Sequence, residues 1–331
     1  MDWHSFAPFM RAWLYGKNGY YRHAHIGTRG DFYTSVSASG FLGGSLAFYL
    51  LQLLEKGALE LPLSVVEIGA GSGRLMADLA SFLKDLSVKE VLEGVRFICV
   101  EPLEELAALQ KVRLEKEGIE IEHIESVAGL SGLKNAFLYC NELWDSFACE
   151  VVQEGRILSV KDFKPLWRAL EDSEHKRLEG FYPLGGCVPF SWEGFIAHLC
   201  QNLEGANWHF VSLDYGQYGF EPISLRGYRA HQVLGLEEIL SDLKGLYQKI
   251  DLTYDIDFKL LEGLFQAQGA RSVFYGTQCA TLLEMGFAKL LDLFAKNVPY
   301  ATYQKEAFKA HALISPDGLG EKFKGLVVAS A

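Results

Sequence analysis

Residues Val65 to Leu79, VVEIGAGSGRLMADL, constrain this chain more than any other stretch. An apolar β-branched run carries a carboxylate near its end, glycines follow at Gly69, Gly71 and Gly73, and Leu75, Met76, Leu79 and Phe82 then mark an amphipathic helix. Strand, tight turn and helix in that order form the opening unit of a parallel α/β sheet. Glycine tolerates positive φ and lets a ligand lie against the backbone, so such a turn suits a nucleoside. A dinucleotide turn has the spacing G-x-G-x-x-G and receives a pyrophosphate at the helix N-terminus. Here the third glycine comes one residue early, and the charge of Glu67 opposes pyrophosphate while suiting a ligand with ammonium and sulfonium groups. The turn therefore predicts S-adenosylmethionine as cofactor, held by Glu67, Gly69, Ala70, Gly71 and Gly73, and disfavours a nicotinamide oxidoreductase. Plain helix-on-strand packing is the competing explanation of the glycines.

From Ser64 onward, short apolar runs alternate with longer amphipathic stretches, a pattern of parallel strands joined by helices. Strands are expected at Ser64–Ile68, Val95–Glu101, Ile119–His123, Ala136–Asn141, Trp208–Asp214, Ala270–Tyr275 and Gly325–Ala329. Seven strands suit one doubly wound, Rossmann-like sheet. About 66 residues separate the fourth strand from the fifth and about 55 the fifth from the sixth, far more than one crossover helix needs, so insertions forming a lid or subdomain are expected. Before the core, Trp3, Phe6, Phe9, Trp13, Tyr15, Tyr20 and Tyr21 suggest a helical extension. The resulting division is residues 1–60 as extension and cofactor-covering segment, 61–160 as the first half of the core, 161–205 as insertion or lid, and 206–331 as the second half with a further insertion.

The second strand ends in Val100-Glu101-Pro102, which places Glu101 where a doubly wound sheet presents an acid to ribose hydroxyls. A charge at the N-terminus of the next helix is the alternative role. Asp214 and Tyr215, at the expected end of the fifth strand, also lie at the ligand edge and are candidate substrate contacts. His23, His25 and His123 lack partners at metal-ligand spacing, so no metal site is expected.

Composition narrows the partners. A formal charge of −11 leaves no electrostatic footprint for nucleic acid and favours a cationic partner. The six cysteines show neither CxxC pairing nor zinc spacing and read as reduced thiols. The most apolar run, Gly40 to Leu54, is shorter than the roughly 20 residues of a membrane span and reads as a buried helix. The opening MDWHSFAPFMRAW has the pattern of neither a secretory signal nor a transit peptide, so a cytoplasmic protein without membrane insertion is expected.

Several stretches together resemble the MidA-like family of class I S-adenosylmethionine-dependent methyltransferases, the protein arginine methyltransferases of the mitochondrial complex I assembly factor type. They are GYY at Gly19–Tyr21, GDFYTS at Gly30–Ser35, EIGAGSGRLMADL at Glu67–Leu79, VEPLEELAALQ at Val100–Gln110, NELWDSF at Asn141–Phe147, LDYG at Leu213–Gly216, LRGYRAH at Leu225–His231 and DLTYDIDF at Asp251–Phe258. They fall in the family's order and span most of the chain. The resemblance implies a class I core and methyl transfer to arginine in a protein substrate, in one branch a respiratory complex subunit. It also implies that Asp31, Tyr33 and Thr34 contact the methionyl end of the cofactor, with Asn141 in the same set.

Arginine is a protonated, delocalised nucleophile, so acidic groups must grip the guanidinium and localise its electrons on one nitrogen. Glu142 and Asp145, directly after the fourth strand, are the expected catalytic clamps. Capping of a following helix by Asn141 is the rival explanation of this segment. The family's NExxDAxP becomes Asn141-Glu142-Leu143-Trp144-Asp145-Ser146-Phe147-Ala148 here, which puts the loop's shape and substrate choice in question. Two rival functions stay open: an assembly factor whose cofactor pocket is vestigial, and a small-molecule methyltransferase. A homodimer is compatible with the sequence.

Overall fold

The computed structural model describes residues 4–23, 35–179, 185–219, 222–229 and 232–331. The seven expected strands are present as β1 (Leu63–Ile68), β2 (Val95–Val100), β3 (Ile121–Ile124), β4 (Asn135–Asn141), β5 (Asn207–Gln217), β6 (Arg271–Thr277) and β7 (Phe323–Ala329). They follow one another across the sheet as β3-β2-β1-β4-β5-β7-β6. Strands β1 to β5 are mutually parallel, and β7 runs antiparallel to both β5 and β6. All six residues of β1 are buried, as expected of a parallel strand covered on both faces. This is the class I, mixed α/β architecture that the resemblance implies.

The chain forms two compact units. One comprises the described residues of 33–141, 197–215 and 265–331 and carries the sheet; the other comprises those of 1–32, 142–196 and 216–264. The expected changes after residues 60, 160 and 205 each fall within one of these segments.

In the sheet unit, the Gly40–Leu54 run forms helix α1 (Phe41–Glu55), packed on α2 (Arg74–Leu86), the helix that follows the glycine turn. Helix α2 buries Leu75, Met76, Ala77, Leu79, Ala80 and Leu83 along one face. Two glycines let the helices touch. A Cβ on Gly43 would stand 2.6 Å from the Leu79 backbone nitrogen, and one on Gly44 would stand 2.9 Å from Leu290 Cδ2. No described helix is long and apolar enough to cross a membrane.

The other unit joins three separated stretches of chain. Residues His4–Ser5 add an antiparallel strand to Arg156–Lys161, which also pairs with Glu150–Gln153 and Lys164–Ala169, and Gly185–Val188 completes the sheet. The helix Phe6–Tyr15 follows, with the Ala7 N–H donating to the buried carboxylate of Glu150 at 3.1 Å and the Trp13 indole donating to the Ile250 carbonyl at 2.8 Å. Phe9 and Trp13 meet Phe163 and Tyr247 in one aromatic cluster, with ring centroids 5.1–6.0 Å apart. A second small sheet pairs Arg226–Arg229 with Gln232–Gly235 and Asp251–Thr253. The described N-terminal aromatics and both insertions thus pack in one unit.

The helix contact in the sheet unit is testable. Gly43→Ala drives a methyl into the α2 backbone and should lower stability by about 1–3 kcal/mol in urea denaturation. Gly194→Ala, in the exposed face of helix Ser191–Asn202 where an added Cβ meets nothing within 4 Å, should be neutral or stabilising by up to about 1 kcal/mol.

Candidate functional site

Beyond β1 the chain proceeds to β2 and β3 on one side of the sheet, and β4 and β5 lie on the other. The order reverses between β1 and β4, and open α/β sheets bind ligands at the carboxyl edge of such a point. The glycine turn, Glu101 and Asn141 stand at three adjacent strand ends on this edge, after β1, β2 and β4 respectively.

Gly69, Gly71 and Gly73 all have left-handed backbones, at φ 72°, 51° and 75°. The turn is closed by the Gly73 N–H on the Ala70 carbonyl at 2.7 Å and tied to β2 by the Gly69 N–H on the Val100 carbonyl at 3.1 Å. Ala70 is buried between the glycines. A side chain on Gly73 would press on Gln110 of α3 (Glu104–Lys116), 3.3 Å away at its Cα.

Glu101 is 6% exposed, and both its oxygens are held: Oε1 accepts the Leu103 N–H at 3.0 Å, and Oε2 accepts the Gln110 side-chain amide at 3.1 Å. Burial raises its pKa, and these two donors oppose the rise. A carboxylate has about four acceptor positions, so two are left for ligand hydroxyls. Three left-handed glycines beside a carboxylate with spare acceptor capacity fit a nucleoside with a ribose diol.

Glu67 is placed differently. It is 3% exposed, and its carboxyl accepts the Tyr139 hydroxyl at 3.1 Å and the Met76 backbone N–H; the same hydroxyl lies 3.2 Å from Met76 Sδ. Desolvation dominates, and the carboxyl is pushed up to about 8. Burial therefore favours its neutral form.

Asn141 is the last residue of β4, in register with Leu213 of β5, and is half-buried. It caps no helix: the next helical turn is the 3₁₀ segment Trp144–Ser146, with Leu143 at its N-cap. Strand β5 continues through Asp214 and Tyr215 to Gln217, so these two residues lie inside the strand rather than at its end. Asp214 is fully buried and accepts the Tyr215 N–H at 2.9 Å, while the Tyr215 ring packs on Phe323 with centroids 5.7 Å apart. The strand is longer than its apolar run because antiparallel pairing with β7 extends to Tyr215↔Phe323.

Glu142 and Asp145 belong to the other unit. Glu142 has a left-handed backbone, φ 52°, uncommon for a residue with a side chain and frequent at functional sites. Asp145 is 7% exposed and accepts the Thr253 hydroxyl at 2.7 Å. Trp144 anchors their loop: its ring packs on Phe147, Trp192 and Phe195, and its carbonyl accepts the Trp192 indole at 3.2 Å and the Tyr254 hydroxyl at 3.0 Å. Ser146, which departs from the family pattern, closes the turn through its hydroxyl on the Leu143 carbonyl at 2.6 Å.

The expected contacts Asp31, Tyr33 and Thr34 lie outside the described residues. The sequence reading missed Gln110, Tyr139, Trp144 and Thr253. Gln110 left a trace, because it occupies the helical stripe of Leu103, Ala107 and Leu114, where an apolar residue is expected. Tyr139 sits inside an apolar strand, and Thr253 is more than a hundred residues from its partner, so neither left a local mark.

Comparison with known proteins agrees with this geometry. Residues 45–178 match a family model described as "Putative S-adenosyl-L-methionine-dependent methyltransferase". The protein arginine methyltransferase NDUFAF7, mitochondrial, of Xenopus laevis is 25% identical over 92% of this chain and 76% of its own length. The Drosophila melanogaster homolog is 23% identical over 97% and 80%. A crystal structure from Burkholderia thailandensis, bound to S-adenosyl-homocysteine, superposes with TM-score 0.79 at 22% identity, covering 99% of this chain and 88% of that one, and shows the same fold. With the switch-point edge, the glycine turn and the acid after β2 all in place, the chain is similar to the MidA-like proteins and is an S-adenosylmethionine-dependent methyltransferase with the class I fold.

Proposed function

We propose that this methyltransferase acts on a guanidinium nitrogen of arginine in a protein acceptor, with Glu142 and Asp145 gripping the guanidinium. One observation carries the reading: two carboxylates three residues apart lie on a loop fixed by Trp144 and Thr253, one in a left-handed backbone conformation and the other nearly buried. The names of the curated relatives support it. When bound, S-adenosylmethionine supplies an electrophilic methyl group on sulfonium. The two carboxylates accept guanidinium N–H groups, which concentrates the lone pair on the attacking nitrogen. As the new N–C bond forms and the S–C bond breaks, the nitrogen sheds a proton that Glu142 takes up and passes to water.

In the same reading, Gly69, Ala70, Gly71 and Gly73 give the nucleoside a backbone surface, Glu101 accepts its ribose hydroxyls, and Asn141 and Glu67 serve the methionyl end with Asp31, Tyr33 and Thr34. Tyr215 is the substrate contact of the Asp214–Tyr215 pair, since Asp214 is fully buried. The narrowest form of the reading is a cytoplasmic homodimer with a respiratory complex subunit as acceptor.

Incubation with radiolabelled S-adenosylmethionine and a cell extract, followed by peptide mass spectrometry, should find methylarginine. Methyl groups on small metabolites alone would defeat the assignment of acceptor, and no transfer at all would favour a scaffold. Glu142→Gln and Asp145→Asn should each cut turnover by about 10²-fold or more while cofactor affinity stays within about twofold.

The buried carboxyl of Glu67 gives a pH signature. Its pKa is higher in the folded chain, about 8, than in the unfolded one, so the stabilisation it provides is full below about pH 4.5 and is lost as pH rises toward 8. Urea midpoints of the cofactor-free protein should therefore fall across this window, and Glu67→Gln should flatten that part of the profile. A cation bound beside Glu67 prefers the ionised form, so affinity for S-adenosylmethionine should rise from pH 6 to pH 8 in the native protein and not in Glu67→Gln. Parallel profiles would remove Glu67 from the cofactor contacts.

A further inference from the structure

Gln110 is fully buried on α3, and each polar atom of its side chain is engaged. Its Nε2 donates to Glu101 Oε2 and to the Gly71 carbonyl, both at 3.1 Å, and its Oε1 lies 3.1 Å from His123 Nε2. Both partners of the nitrogen are pure acceptors, so the amide has only one admissible orientation. Oε1 then faces His123, and His123 must carry a proton on Nε2. The imidazole on β3 thus fixes the amide on α3, and the amide fixes both the carboxylate after β2 and the turn after β1. A buried amide costs stability when left unmatched, and four matched polar groups in one chain restrict each other more than isolated pairs do.

We infer that Gln110 is the positioning residue for ribose recognition, its amide holding Glu101 at one oxygen and the glycine turn at Gly71, so that the remaining acceptor positions of Glu101 meet the two ribose hydroxyls. The inference rests on the reading that Glu101 accepts those hydroxyls. It accounts for a polar residue on the apolar stripe of α3 and for the approach of the helix to Gly73, where a Cβ would stand 3.3 Å from the Gln110 Cα. It also assigns His123, three strands along the sheet order from β4, a part in orienting the site without touching the ligand.

The test compares S-adenosyl-homocysteine with its analogue lacking both ribose hydroxyls, by calorimetric titration of the full chain. Native protein should prefer the complete nucleoside. Gln110→Ala should weaken binding of S-adenosyl-homocysteine about tenfold and weaken the dideoxy analogue much less, so that discrimination collapses; a residue that only supports folding would weaken both equally. Gln110→Glu keeps the shape and exchanges the donor for an acceptor, so it should lose discrimination too, and it serves if the alanine variant unfolds. Adding Gln110→Ala to Glu101→Ala should remove no further discrimination. Full discrimination in Gln110→Glu, or an equal loss for both ligands in Gln110→Ala, overturns the positioning role. Unchanged discrimination in Glu101→Ala instead overturns the ribose assignment on which it rests.

Discussion

The bend between β1 and α2 requires left-handed backbone at three of five consecutive positions, and the site depends on that requirement. An L-residue with a side chain pays roughly 1–2 kcal/mol for the left-handed region, so three such positions in one turn are tolerable only as glycine. The absence of Cβ atoms then has further effects. Helix α2 starts directly above the end of β1, the Ala70 carbonyl closes the turn on the Gly73 N–H, and α3 comes in until Gln110 reaches the Gly71 carbonyl. Backbone freedom at one bend therefore sets the approach of two helices and leaves a backbone surface without side chains at the carboxyl edge of the sheet.

Glu142 is a counter-case. It too has a left-handed backbone, yet it bears a side chain, so its conformation is imposed by its surroundings rather than by its own preference. The imposed geometry comes from Trp144, buried among aromatic rings with its carbonyl hydrogen-bonded twice. A small residue and a proline shape this loop in the family pattern; here ring packing by Trp144 and Phe147 and a hydroxyl turn at Ser146 hold it. The acidic pair is kept while its support differs.

The sheet was legible because its information is local. Seven apolar runs separated by amphipathic stretches show themselves in windows of ten residues, and all seven recur as strands within a few residues of their expected ends. Strand β5 is the exception at its end: pairing with β7 extends it past Asp214, and no local pattern reveals a partner more than a hundred residues away. The second unit was legible only as excess length. Its sheets join residues 4–5 to 159–160 and 226–228 to 251–253, and contacts of that separation leave no periodicity. The candidate site divides the same way: glycines and strand-end acids could be named from spacing, whereas Tyr139 and Thr253 became visible only once distant strands lay side by side.

Glu67, inside β1, and Glu101, just after β2, are both buried, yet their environments separate them chemically. Glu101 receives a backbone N–H and an amide N–H, one on each oxygen, and both favour the ionised form. Glu67 has a phenolic hydroxyl and one backbone N–H, with Asp78 close enough to disfavour a further charge, and burial prevails. The first therefore has its charged form supported at both oxygens against the rise that burial causes, which suits it to accept from neutral hydroxyls. The second is an anion only on condition that a positive charge arrives to stabilise it. A ligand with a neutral diol at one end and cationic groups at the other matches that pair of environments, whereas the anionic centre of a dinucleotide brings no charge to stabilise an ionised Glu67.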